Sequence, residues 1–216
     1  MSGLVRSIVV LIALSGGCAS TTMFTIIDSV LLRPLRFPHP ERLVMLRPTS
    51  GARLSPAYLD EWRRQSRTFA DMAGWHDVRA TITGRGEPLQ ILADQATTNF
   101  FDVLGTPPLV GRTFTTDSDL SRVEPEVVLG YGLWQRRFGG DPNVVGQSIV
   151  VEGRPYTVAG VTPAGFTLPY DSFIRLTDPV DLYLPLARDD PDAQIRRFHS
   201  LRLIGRLETA TTLQEA

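Results

Sequence analysis

The sequence predicts an α+β fold, with an N-terminal transmembrane helix followed by a mixed α/β extracytoplasmic domain of two lobes with hairpins. Three observations predict it. Ser7 to Ile27 is an uncharged run of 21 residues. Beyond it, stretches of helical apolar spacing alternate with stretches of period two. Glycine and proline, 18 and 16 residues respectively, punctuate these stretches at turn-like intervals.

As a helix rising 1.5 Å per residue, the uncharged run spans roughly 30 Å, the thickness of a bilayer core. Asp28 closes it. Hydrophobic residues resume at once with Met23, Phe24, Ile26, Ile27, Val30, Leu31 and Leu32 at helical spacing, so the helix is expected to continue outward as a stalk through residue 32. A second reading competes. Arg6, the apolar core "IVVLIAL" and the small-residue stretch "SGGCAS" make a signal peptide, with lipoprotein-type cleavage before Cys18. Ser15 stands where the usual lipobox has leucine. Arg33, Arg36 and Arg42 follow the run while Arg6 alone precedes it, a local charge balance opposite to that of an exported domain.

Pro34, Pro38 and Pro40 end the stalk. "RLVMLRP" reads as a first strand ending at Pro48. "SPAYLDEWRRQSRTFADMAGW" reads as one long helix, capped by Ser55, with Tyr58, Leu59, Trp62, Phe69 and Met72 on one face. "RATITGRGEPLQILADQAT" gives two strands around Gly84–Pro88, and "NFFDVLGTPPLVGRTF" a short helix broken at Gly105 and Pro107. "EVVLGYGLWQRRFGGDP" starts as a buried strand over Val127 to Leu129 and turns into a helix carrying Trp134 and Phe138. "QSIVVEGRPYTVAGV" is a hairpin with Glu152-Gly153 at its tip. "DLYLPLA" and "SLRLIGRL" are strands, the latter with Leu201, Leu203 and Gly205 on one side. A lobe boundary is expected near Gly130. "TTLQEA" reads as a helix only begun, with Thr212 as cap and Glu215 three residues on, so the chain reads as C-terminally incomplete.

Composition excludes several kinds of chemistry. All 22 basic residues are arginine, which rules out a lysine Schiff base and a phosphate loop ending in Gly-Lys-Ser/Thr. Cys18 is the single cysteine, so there is no disulfide framework and no cysteine zinc site. A net charge of −1 implies no general attraction to nucleic acid. His39, His76 and His199 match no metal-ligand spacing. His76, after Trp75, is placed at a helix end. Asp117 and Asp119, and Asp189, Asp190 and Asp192, read as solvated loops rather than cation sites. The glycine-rich Gly84–Pro88 is followed by a strand, so it reads as a hairpin turn and not a phosphate cradle. Trp134-Gln135-Arg136-Arg137-Phe138 reads as core aromatics with exposed arginines. No catalytic, cofactor-binding or metal residue is assigned. The chain reads as a non-enzymatic domain that binds, transmits or assembles.

The strings "SVLLRPLRFPHPERLVML", "NFFDVLGTPPLVGRTFT", "VVLGYGLWQRRFGGDPNVVGQSIVVEGRPYTVAGVTPAGF" and "DLYLPLA" resemble the MacB-like periplasmic core domain. More narrowly, they are similar to the duplicated permeases of the macrolide-exporter and FtsX-like ABC group of Acidobacteria. The resemblance runs from about Gly17 to Ala216. It implies a transmembrane helix and stalk over residues 1–32, then a periplasmic core domain over 33–216 that lacks the C-terminal permease helices. It implies a place in the bacterial inner membrane, with the domain periplasmic and no role in catalysis. The implied partners are a separate cytoplasmic ABC ATPase subunit, other permease copies or periplasmic proteins, and the membrane itself. The implied action is mechanotransmission or assembly for export. The alternative is a signal-peptide-processed or lipid-anchored extracytoplasmic binding module. The family's glycine-alanine-asparagine-threonine pattern after the first apolar run is here "GGCASTTMF".

Overall fold

A computed structural model describes residues 24–27, 37–48, 56–84, 86–114, 125–168, 179–186 and 201–209. In chain order the elements are β1 (Phe24–Ile27), a 3-10 turn (Pro40–Arg42), β2 (Leu43–Pro48), α1 (Pro56–Gln65), β3 (Phe69–Thr83), β4 (Leu89–Ala96), α2 (Phe100–Leu104) and β5 (Val110–Gly111). They continue with β6 (Glu126–Leu129), α3 (Tyr131–Phe138), a second 3-10 turn (Pro142–Val144), β7 (Ser148–Val151), β8 (Arg154–Val161), β9 (Leu182–Pro185) and β10 (Arg202–Leu207). The fold is α+β.

All ten strands among the described residues belong to one sheet, in the order β1-β2-β10-β3-β4-β9-β6-β8-β5, with β7 bridging β3 and β8. That bridge closes a ring. Strand β3 pairs β4, β4 pairs β9, β9 pairs β6, β6 pairs β8, β8 pairs β7, and β7 returns to β3. Every strand of the ring contributes to one apolar cluster, through Ala80, Ile82, Ile91, Ala93, Val127, Leu129, Ile149, Val151, Val158, Val161, Leu182 and Leu184. A small barrel fills its own interior with side chains. Leu133 and Trp134 of α3 pack into the same cluster.

The rest of the sheet is open. Strands β2, β10 and the first half of β3 bury both faces, as their near-continuous apolar runs require. Val44, Leu46, Met72, Leu203 and Leu207 pack with Leu59 of α1. Leu43, Met45, Ala73, Trp75 and Ile204 pack on the opposite side with Phe100, Phe101, Val103 and Leu104 of α2. The one sheet thus has a closed part and an open part, called here its closed and open lobes, and neither is confined to one side of Gly130. Strands β9 and β10, which follow it, return to pair β4 and β3, so both lobes draw on both halves of the chain. Gly130 instead joins β6 to α3, and a Cβ there would lie 2.2 Å from the Val180 carbonyl oxygen.

The long helix expected over Ser55 to Trp75 is a helix followed by a strand. Ser66 still donates its N–H to the Trp62 carbonyl, and its hydroxyl then accepts from the N–H groups of Thr68 and Phe69, turning the chain out of the helix. The apolar spacing misleads for a physical reason. Leu59, Trp62, Phe69 and Met72 do share one cluster, but Phe69 and Met72 reach it from β3. His76 accordingly lies inside a strand, opposite Gln95, and not at a helix end. The helix expected through Ile27 departs in the same way, since Phe24–Ile27 is a strand paired with β2. No helix among the described residues is long and apolar enough to cross a membrane. Residues 7–23 and 28–32, Ser55, Thr212 and Glu215 lie outside the described residues.

One buried amide ties α1, α2 and β3 together. Asn99 donates from Nδ2 to Asp71 Oδ2 at 2.6 Å and to the Met72 carbonyl at 2.9 Å, and its Oδ1 accepts from the Thr97 hydroxyl at 2.8 Å. Arg63 of α1 donates to the same Met72 carbonyl at 2.8 Å and lies 3.1 Å from Asp71. Asn99→Ala removes three hydrogen bonds at a buried site, and chemical denaturation should register a loss of about 1–3 kcal/mol. Gly160 in β8 leaves no room for a side chain. A Cβ there would stand 2.3 Å from the Arg112 carbonyl oxygen and 2.7 Å from that of Val110. Because those neighbours are backbone and cannot rotate away, Gly160→Ala should lower the unfolding free energy by about 1–3 kcal/mol or more, read by chemical denaturation.

Candidate functional site

The residues singled out for chemistry do not converge. His39 is exposed, in the left-handed region at φ 50°, and sits 3.4 Å from Glu41. Trp134 is buried and its indole N–H donates to the Asp141 carbonyl at 2.9 Å. Arg136 reaches Asp181 at 2.6 Å, and Arg137 donates to the Glu87 carbonyl at 3.0 Å. These are the contacts of a helix packed on a barrel, with its arginines at the rim. Gly84–Pro88 runs from strand to strand, as read from the sequence. Cys18, Asp117, Asp119, Asp189, Asp190, Asp192 and His199 lie outside the described residues. Among the described residues, no group of three or more His, Cys, Asp or Glu side chains stands together as a metal site.

What the fold does bring together is its incoming and outgoing chain. Strand β2, the first after the proline-rich connector, pairs antiparallel with β10, so that Leu43 is opposite Arg206 and Val44 opposite Gly205. The strand that follows the connector and the last described strand thus lie side by side. Two arginines then cross the seam in opposite directions. Arg42, on the incoming chain, donates from Nε to the Leu207 carbonyl at 3.0 Å, and its terminal nitrogen reaches the same oxygen. Arg206, on the outgoing strand, donates to the Pro38 carbonyl at 3.1 Å and to the Val103 carbonyl of α2 at 2.6 Å. The result is a reciprocal clasp. Partial burial, and then the Arg42 cation nearby, lower the Arg206 pKa from its ordinary value, while Glu41 acts in the opposite sense. It is a guanidinium held by backbone carbonyls rather than by a carboxylate.

The clasp leads directly into an aromatic block. Phe37, just before the turn, meets Phe166 edge-on at 5.9 Å. Phe166 contacts Phe101 of α2 at 5.9 Å and Tyr183 of β9 at 5.7 Å. Tyr183 meets Phe101 at 5.3 Å, and Phe100 meets Trp75 of β3 at 5.5 Å. Such ring pairs contribute about 0.5–1.5 kcal/mol each beyond area burial and fix relative orientation. At the far end, Arg202 of β10 holds Asp77 of β3 at 2.8 Å, where β3 passes from the open sheet into the barrel. This arrangement joins the Phe37–Leu43 stretch and β10 to the buried interior. The clasp had a partial signal in the sequence, since Arg42 precedes one apolar strand and Arg206 lies in another, but the contact of Arg42 with Leu207, 165 residues on, had none.

Comparison with known proteins places this architecture. The periplasmic region of MacB from Actinobacillus actinomycetemcomitans superposes with a TM-score of 0.57 at 16% identity, covering 76% of this chain and 69% of that one. The extracellular domain of YknZ, a noncanonic ABC-type transporter from Gram-positive bacteria, gives 0.54 at 16% identity, with 73% and 75% covered. A domain described as belonging to a permease protein from Porphyromonas gingivalis gives 0.57 at 18% identity, with 82% and 80% covered. At these identities the likeness is one of fold. No curated protein matches the sequence. The family model for the MacB-like periplasmic core domain matches residues 7–216, and the chain belongs to that family.

Proposed function

We propose that this chain is the extracytoplasmic domain of an ABC-type transporter permease and that it works as a mechanical coupler for export, not as a catalyst. In this reading residues 1–32 supply a single-pass helix and stalk in the inner membrane, and residues 33–216 form the periplasmic domain. ATP hydrolysis falls outside these 216 residues, which hold no lysine and so no phosphate-loop lysine, and a separate cytoplasmic ABC ATPase subunit is the partner expected to supply it. Permease helices beyond this chain would link the two. Other permease copies or periplasmic proteins would receive the movement.

The observation that carries the reading is the clasp. Displacement of the stalk enters through Phe37 to Leu43, and the cross-seam bonds of Arg42 and Arg206 make the outgoing strand move with it. From β10 the load passes to β3, which runs through both lobes. The aromatic block packs Phe101 of α2 and Phe166 against Tyr183 of β9, contacts that would resist hinging there. The alternative, a processed or lipid-anchored binding module, draws on Cys18 within "SGGCAS".

Expression in a Gram-negative host with a C-terminal tag separates the two. Intact mass of the full chain in the inner membrane, with the tag reachable from the periplasm, is the expected result. A mass starting at an acylated Cys18, or a soluble periplasmic species, would remove the anchor. The clasp itself is tested by Arg206→Met, which loses two bonds from a charged donor and should cost about 1–3 kcal/mol. Hydrogen exchange should quicken at the β2–β10 amides while barrel amides keep their protection relative to the new global stability. Uniform loss of protection across both lobes would count against a local joint.

A further inference from the structure

We infer that Gly105 is the positioning residue of the clasp: its bare Cα, at the C-cap of α2, is the seat onto which Arg206 and Pro38 close, so the seam is held only while α2 is in place. The inference rests on the clasp as the local joint proposed above. Gly105 has φ 65° and ψ 30°, the left-handed cap that ends a helix and favours glycine. Its N–H donates to the Asp102 carbonyl at 3.0 Å, and that of Thr106 to the Phe101 carbonyl at 3.1 Å, which fixes the cap to the helix. A second demand falls on the same atom. A Cβ there would stand 3.3 Å from Nη2 of Arg206 and 3.5 Å from Cγ of Pro38. Nη2 is itself buried. The guanidinium is therefore held on three sides: Nε donates to the Val103 carbonyl at 2.6 Å, Nη1 to the Pro38 carbonyl at 3.1 Å, and Nη2 lies over Gly105. The connector, α2 and β10, remote from one another in sequence, meet at this one residue. Helix α2 is in turn planted in the aromatic block, Phe100 against Trp75 and Phe101 against Tyr183 of β9. The clasp thus reaches β9 through α2, by a route that does not run along β3. Gly139 supplies an internal control. It caps α3 with φ 64° and ψ 16°, yet a Cβ there would have no neighbour from the rest of the described chain within 4 Å.

The test compares Gly105→Asn with Gly139→Asn in the full chain, since asparagine tolerates the left-handed region and keeps backbone strain small at both caps. Amide exchange is followed by mass spectrometry at β2–β10 and at β7–β8, with Arg206 present and in an Arg206→Met background. With Arg206 present, Gly105→Asn is expected to speed β2–β10 exchange about tenfold relative to β7–β8, the scale of one lost hydrogen bond from a charged donor. Gly139→Asn should change that ratio by less than about twofold. In the Arg206→Met background Gly105→Asn should add less than about twofold, because the group it displaces is gone. Equal acceleration with and without Arg206, or a Gly105→Asn ratio no different from that of Gly139→Asn, would overturn the inference and leave the joint standing. Uniform loosening of both lobes by Arg206→Met alone would remove the joint and the inference together. If Gly105→Asn does not fold, folding restored by Arg206→Met supports the inference, and failure in both backgrounds overturns it.

Discussion

Strand β3 is the constraint on which the rest of the molecule depends. Phe69 and Asp71 to Trp75 pair with β10, and from Trp75 onward it pairs with β4 and finally β7. One continuous backbone is thereby shared by the open sheet and the barrel. Met72, Ala73, Gly74 and Trp75 are buried in succession, which a strand tolerates only when both of its faces are covered. Helix α1 covers one face and α2 the other. The covering is tight: a Cβ at Gly74 would meet methyl groups of Leu201 and Leu203 at 3.1 Å. Neither lobe can form its part of β3 without positioning the other's.

Apolar and polar contacts divide the work. The aromatic block and the barrel interior supply the burial that makes the fold stable. The polar ties sit at corners where elements change direction, as Asn99 does before α2 and Arg202 does at the lobe junction. Glu152 at the β7–β8 tip plays the same part for the barrel: its carboxylate accepts from the Thr81 N–H, and its own N–H donates to the Thr81 carbonyl. The two tip residues, Glu152 and Gly153, both have positive φ, as a tight hairpin demands. Exposed ion pairs matter less. Arg112, just after β5, pairs with Glu126 of β6, and that hydrogen bond raises the Arg112 pKa, yet surface pairs of this kind contribute about 0–1 kcal/mol.

Local grammar made much of the fold legible. The hairpin at Glu152-Gly153, the break after α2 at Gly105 with φ 65°, and the strand-to-helix turn at Gly130 each announce themselves through a glycine in a defined setting. The side assigned to Leu201, Leu203 and Gly205 is where α1's cluster lies, and the Phe69 ring occupies the place of the missing Gly205 side chain. Periodicity failed where two periods coincide, at Phe69 and Met72, because residues of a helix and of the strand packed beneath it can bury toward one cluster. Ring closure was invisible for another reason: it depends on β7 and β9 meeting strands from the first half of the chain. The candidate site shared that fate, since its two arginines pair only through backbone carbonyls that carry no side-chain signature.

The meeting of Leu43 with Arg206 closes the longest loop among the described strand pairings. Hairpins β3–β4 and β7–β8 join strands that follow one another in the chain, so they form with little loop entropy to overcome. The β2–β10 pairing must wait until the chain between them is largely ordered, because closure entropy is met before a long-range contact repays it. Folding of this sheet is thus ordered in time, with its local hairpins first and its β2–β10 seam last.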